Sequence, residues 1–102
     1  MGTLYYGDTR AAIAIDDRQL AHLRVVMISK LRRNEPFSFS WTNPGDAASR
    51  RSTVWVSSQT TLQFDFDDAE TPELDMATLE RLSREASTAR GLAAEPSAVG
   101  AS

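Results

Sequence analysis

One histidine, one lysine and one tight group of carboxylates are the side chains here that could carry a reaction. Histidine is the side chain that ordinarily exchanges its proton near neutral pH. His22 is the only one, so any Ser-His-Asp or general acid–base scheme must run through it. Asp65, Asp67, Asp68 and Glu70 could hold a hard cation through oxygen ligands. The calcium-loop spacing and its required glycine are missing from this group. Asp65 and Asp67 alternate with Phe64 and Phe66, which reads as the solvated face of a strand. His22 falls on the polar strip of a helix, and nothing marks a nucleophile elbow. No catalytic residue, metal ligand or cofactor is assigned.

Binding chemistry offers more. In SKLRRNEPFSFSW, residues 29–41, cations precede alternating aromatics. Lys30, Arg32 and Arg33, with Arg50, Arg51 and Trp55, make a candidate nucleic-acid set. The arginines would meet phosphates, and a Trp on a polar sheet face would stack a base. Against it, Asp65 shares that outward face with Trp55 and repels phosphate. A second stacking aromatic is also missing. The competing reading is ordinary: cations suit the C-terminal turn of a helix, and alternating aromatics suit a half-buried strand. Arg24, Val25 and Ile28 form a second candidate, a contact with a second subunit. Arg24 stands one helical turn from both Leu20 and Ile28, beside the apolar stripe.

Elements must hold these residues in place. Thr3–Tyr6 and Ala11–Ile15 predict a hairpin around the turn Gly7-Asp8-Thr9-Arg10. Asp16 or Asp17 caps a helix whose stripe is Leu20, Leu23, Met27 and Leu31. Val25, Val26 and Ile28 widen the stripe until the helix is apolar over most of its circumference. Such a helix is expected to be covered on more than one side. Pro36 ends it. Phe37–Thr42, Ser52–Ser57 and Thr61–Asp67 read as three strands of an antiparallel meander, with a polar loop over 43–51. Thr71-Pro72-Glu73 announces a second helix with the stripe Leu79, Leu82, Ala86 and Ala89, stopping at Gly91. Glu80 with Arg84 has the favourable orientation of an i,i+4 pair, and Arg81 with Glu85 the reverse.

The order β-β-α-β-β-β-α predicts an α+β fold of two layers. An antiparallel sheet of about five strands is packed by two helices. Residues 1–92 form one domain and 93–102 a flexible tail. With 102 residues, 25% of them charged, and a formal charge of −3, one ordinary globular core is expected rather than a basic trap for phosphates. The absence of cysteine excludes disulfides and thiolate metal sites. No run is long enough for a membrane span, so a cytoplasmic protein without membrane contact is expected.

Beyond these elements, the chain resembles a family of small actinobacterial proteins of unknown function, DUF7882-like. The matching residues are MGTLYYG at the start, IDDRQLAHLRVVMISKLRR from Ile15, FSFSW from Phe37, RSTVW from Arg51 and LQFDF from Leu62. Gly91-Leu92 and Glu95-Pro96 complete the pattern. It covers most of the chain. Arg50-Arg51 stands where relatives tend to carry Gly-Arg, and Asp65–Glu70 is more acidic. Members often bear the label ATP-dependent DNA ligase. A ligase of that class adenylylates the lysine of a Lys-x-Asp-Gly signature, whereas Lys30 is followed by Leu31-Arg32-Arg33. Nor do 102 residues house a nucleotide pocket plus an oligonucleotide-binding domain. The expected function is a non-enzymatic interaction module that self-associates or binds a protein partner. The alternative is a nucleic-acid-associated accessory, for example to repair or ligation, and not itself a ligase.

Overall fold

The computed structural model describes residues 1–42, 51–68, 70 and 72–94. The fold is α+β with two helices. In chain order the elements are β1 (Gly2–Tyr6), β2 (Ala11–Ile15), α1 (Asp17–Arg32), β3 (Phe37–Thr42), β4 (Arg51–Val56), β5 (Leu62–Asp65), α2 (Met76–Ala86) and β6 (Leu92–Ala93). The polar loop expected at 43–51 lies outside the described residues apart from Arg51, and so do Thr71 and residues 95–102.

The expected single sheet of about five strands is replaced by two sheets of three, ordered β2-β1-β5 and β4-β3-β6. The β1–β2 and β3–β4 hairpins form as their patterns predict. The meander fails at β5, which pairs antiparallel with β1 rather than with β4. Phe64 stands opposite Leu4, and Leu62 opposite Tyr6. The physical reason is the free edge of β1, whose unpaired backbone groups need a partner that β2 supplies on one side only. A turn at Ser57–Thr60 redirects the chain toward that edge. The Tyr6 hydroxyl donates to the Trp55 carbonyl at 2.9 Å and ties the two sheets together.

A sixth strand was not foreseen. Leu92 pairs in parallel with Phe39, and the Ala94 N–H donates to the Ser40 carbonyl at 2.8 Å. The first two residues of the expected tail are therefore stitched to β3.

Helix α1 joins the sheets into one core. Leu20, Leu23, Val26 and Met27 pack with Leu4, Ile13 and Ile15 from one sheet, and with Phe37, Phe39 and Val56 from the other. The Asp16 carboxylate caps α1 by accepting from the N–H groups of Arg18 and Gln19. Helix α2 begins later than Thr71-Pro72-Glu73 suggested. Its cap is Asp75, which accepts from the Thr78 N–H and hydroxyl. It ends at Ala86, so Ala89 stands outside it, and only Leu82 and Ala86 are fully buried. The ion pair on α2 is Arg81–Glu85 at 2.9 Å, the orientation that isolated helices favour less.

The Asp75 cap yields a pH prediction. Its bonds from the Thr78 hydroxyl and N–H hold the carboxyl below its ordinary value of 3.8. A carboxyl depressed in the folded state stabilises above its unfolded value and loses that contribution as pH falls through the folded one. Asp75→Ala is therefore expected to lower the melting temperature at pH 7, with the gap closing below about pH 3.8. An unchanged gap down to pH 2.5, measured by circular dichroism melts, would remove this role.

Candidate self-association face

Helix geometry divides α1 into sides. Leu20, Leu23 and Met27 face the core, while Arg18, Val25, Ser29 and Arg32 lie on the opposite side at helical spacing. Ala21, Val25, Ile28 and Arg32 follow the four-three-four spacing of a helix-pairing seam. Arg24 and Arg32 are exposed, and Val25 and Ile28 are half-buried. The middle of the solvent side of α1 is thus apolar. Amphipathic packing against the core alone does not require that.

The segment after β5 crosses the N-terminal half of this side. The Asp17 carboxylate accepts from the N–H groups of Asp67, at 3.4 Å, and Asp68, at 3.0 Å. At the far end, His22 Nε2 accepts from the Asp75 N–H at 2.9 Å. The described residues between these clamps, Glu70, Pro72 and Leu74, form a strap that lines a groove together with the buried Ala21, and Leu74 is 42% exposed. Between strap and helix runs a groove of about 780 Å³. Its apolar floor comes from Val25, Phe64 and Phe66, and its rim from Asp67, Asp68 and Glu70. Arg24 and Val25 also line a second groove of about 530 Å³, with Ile28, Ser29, Arg32 and Arg33. The grooves meet at Arg24 and Val25, one acidic and the other basic. Arg24 and Arg32 have no carboxylate partner among the described residues.

The structure places the other candidates as follows. His22 does not lie on a polar strip. It is 2% exposed, with Nδ1 2.7 Å from the Arg18 carbonyl and Nε2 on the Asp75 N–H. A carbonyl can only accept and an N–H can only donate, so the proton sits on Nδ1 and the ring is occupied on both sides. The helical wheel misled because α2 covers that flank of α1. Lys30 also stands apart from its neighbours in sequence. It is 7% exposed, and its amine lies 3.2 Å from Glu35 Oε1 and 3.3 Å from Ser87 Oγ, so it is not presented to a phosphate. The Lys30 bond, then that from Arg33, holds the Glu35 carboxyl below its ordinary 4.5. Arg32 and Arg33 are exposed at the end of α1, while Arg51 and Trp55 are exposed on β4. Arg50 lies outside the described residues.

Among the described residues no three His, Asp or Glu stand together as a metal set. Asp67 pairs with the N-terminal amine at 3.1 Å, and Asp68 accepts from the Glu70 N–H. A further cleft of about 700 Å³ lies over β3, lined by Ser38, Ser40, Thr53, Arg51 and Arg90. The Ser40 and Thr53 hydroxyls there are bonded to each other at 2.8 Å. No described helix is long and apolar enough to cross a membrane.

Sequence reading named Arg24, Val25 and Ile28 but missed Leu74 and the strap. The acidic run was visible, yet its place beside α1 depends on β5 crossing to β1. No curated protein and no solved structure matches the chain. A family model does match over residues 1–97, and the chain belongs to that family, described as a domain of unknown function, DUF7882.

Proposed function

We propose that this protein is a non-enzymatic interaction module, working in the cytoplasm, that self-associates through the solvent side of α1. One observation carries the reading: Val25 and Ile28 lie half-buried on the side of α1 away from the core, and Val25 shares a groove with the exposed Leu74. Apolar side chains placed this way, with charge around them, have the anatomy of an interface centre and rim. The buried state of His22 and Lys30 supports a role without chemistry, because both are consumed in holding elements together. The patch is short, so a dissociation constant in the micromolar range, roughly −8 kcal/mol, is expected.

Sedimentation velocity over a concentration series tests this. Val25→Asp with Ile28→Asp is expected to weaken association at least tenfold, because charged carboxylates would replace the apolar centre of the contact and resist desolvation there. A wild-type chain that stays monomeric at millimolar concentration would end the proposal.

Accessory nucleic-acid binding is the second reading. Trp55, 61% exposed on the strand that begins at Arg51, favours it. Its test is a salt-dependent oligonucleotide titration with Trp55→Ala as control.

A further inference from the structure

We propose that two copies of the chain pair through α1 in antiparallel fashion about a two-fold axis, with Arg32 of each copy against the acidic strap of the other. This rests on the self-association reading above and adds its geometry and specificity.

The strap lies beside the N-terminal half of α1, where Asp17 holds the Asp67 and Asp68 N–H groups. Arg32 and Arg33 occupy the last turn of the same helix and its cap. The beginning of this side of α1 thus has the strap's Asp67, Asp68 and Glu70 set beside Arg18 and Arg24. Its end carries Arg32 and Arg33 with no acid of the strap among the described residues, and Val25 and Ile28 lie between. A parallel pair would set strap on strap and Arg32 on Arg32. An antiparallel pair brings each basic end to an acidic strap and makes every such contact twice. Like charges face to face select against the first arrangement, and opposite charges select the second.

Packing agrees with charge. An axis passing between Val25 and Ile28 sets Val25 of one copy against Ile28 of the other, as a short antiparallel helix seam requires. The strap keeps the helices from touching along their N-terminal halves, because Glu70, Pro72 and Leu74 stand beside the buried Ala21 around one groove. Contact is therefore confined to about one heptad. Beyond it, Leu74 and the acids of the strap meet the exposed stem and head of Arg32 from the second copy. Arg33 contributes less, since its guanidinium is shared with Glu35 at 3.2 Å. Arg32 has no carboxylate of its own among the described residues.

The chain has no cysteine, so single spin labels can be placed cleanly. Labels at Ser29→Cys lie near the axis and report whether this side of α1 is used at all. In the proposed pair, Arg18→Cys positions lie about 25 Å apart along the helix axes, from a rise of about 1.5 Å per residue. A parallel pair would bring them to about 10 Å. Short Ser29 distances with long Arg18 distances are the expected result. Short distances at both positions would overturn the antiparallel arrangement while leaving self-association standing. Association without a short Ser29 distance would overturn both.

A charge exchange supplies the second readout. Arg32→Glu alone, and Asp68→Lys with Glu70→Lys alone, are each expected to weaken self-association about tenfold. Mixing the two variants restores pairing, because every exchanged contact meets its opposite. Mixtures no tighter than either variant would overturn the assignment of Arg32 to the strap.

Discussion

Gly91→Ala is expected to lower the unfolding free energy by about 3 kcal/mol, combining a left-handed residue that gains a Cβ with local overpacking. Gly91 has φ +74°, a conformation that L side chains rarely adopt. A Cβ there would collide with Ser38 Oγ and stand 2.5 Å from the Ser38 carbonyl oxygen, which is fixed in β3. Neither strand can withdraw freely, since Leu92 is fully buried against the core and pairs with Phe39. Gly7 provides the comparison. Its φ is +77°, but nothing lies within 4 Å of its Cβ position, so Gly7→Ala carries only the conformational part, about 1 kcal/mol. Urea denaturation of both variants separates the two contributions. Equal losses at the two glycines would show that the close approach to Ser38 costs nothing.

His22→Ala is expected to destabilise by a similar amount, about 3 kcal/mol, through a cavity and an orphaned donor. The imidazole is nearly inaccessible, so its removal leaves a hole between α1 and the start of α2. It also deprives the Asp75 N–H of its acceptor. The Arg18 carbonyl loses less, because the helix still offers it a backbone donor. Amide exchange gives a reading specific to this role, with the Asp75 amide exchanging faster relative to amides of β3. A loss below about 1 kcal/mol, or protection of Asp75 unchanged relative to β3, would mean that water replaces the ring without cost.

Local pattern made α1, β3 and the two hairpins legible, since each is specified by neighbours in sequence. Leu20, Leu23 and Met27 repeat with helical period, and Phe37 and Phe39 with strand period. What sequence could not reveal was pairing between distant segments. LQFDF reads as a strand in either sheet, and only the open edge of β1 decides its place. Leu92-Ala93 is too short to show any period and follows a glycine that looked like a helix stop. The site divided the same way. Val25 and Ile28 were visible as apolar positions that widened the stripe of α1 until one buried side could not account for it. The strap beside them, and the burial of His22 under α2, follow from where β5 and α2 settle, which local periodicity does not encode.

The pairings of β5 with β1 and of β6 with β3 have a consequence for synthesis on the ribosome. An emerging chain can close β1–β2 and extend α1 early. It cannot seal the edge of β1 until residue 65 has emerged, nor pair Phe39 until Leu92 has. Both sheets thus stay open-edged while most of the polypeptide is already made, and long-range closure of this kind is slow. The nascent chain is expected to spend that interval exposed to edge-to-edge aggregation and to holdase chaperones, and a stall placed before codon 92 should leave it degradable.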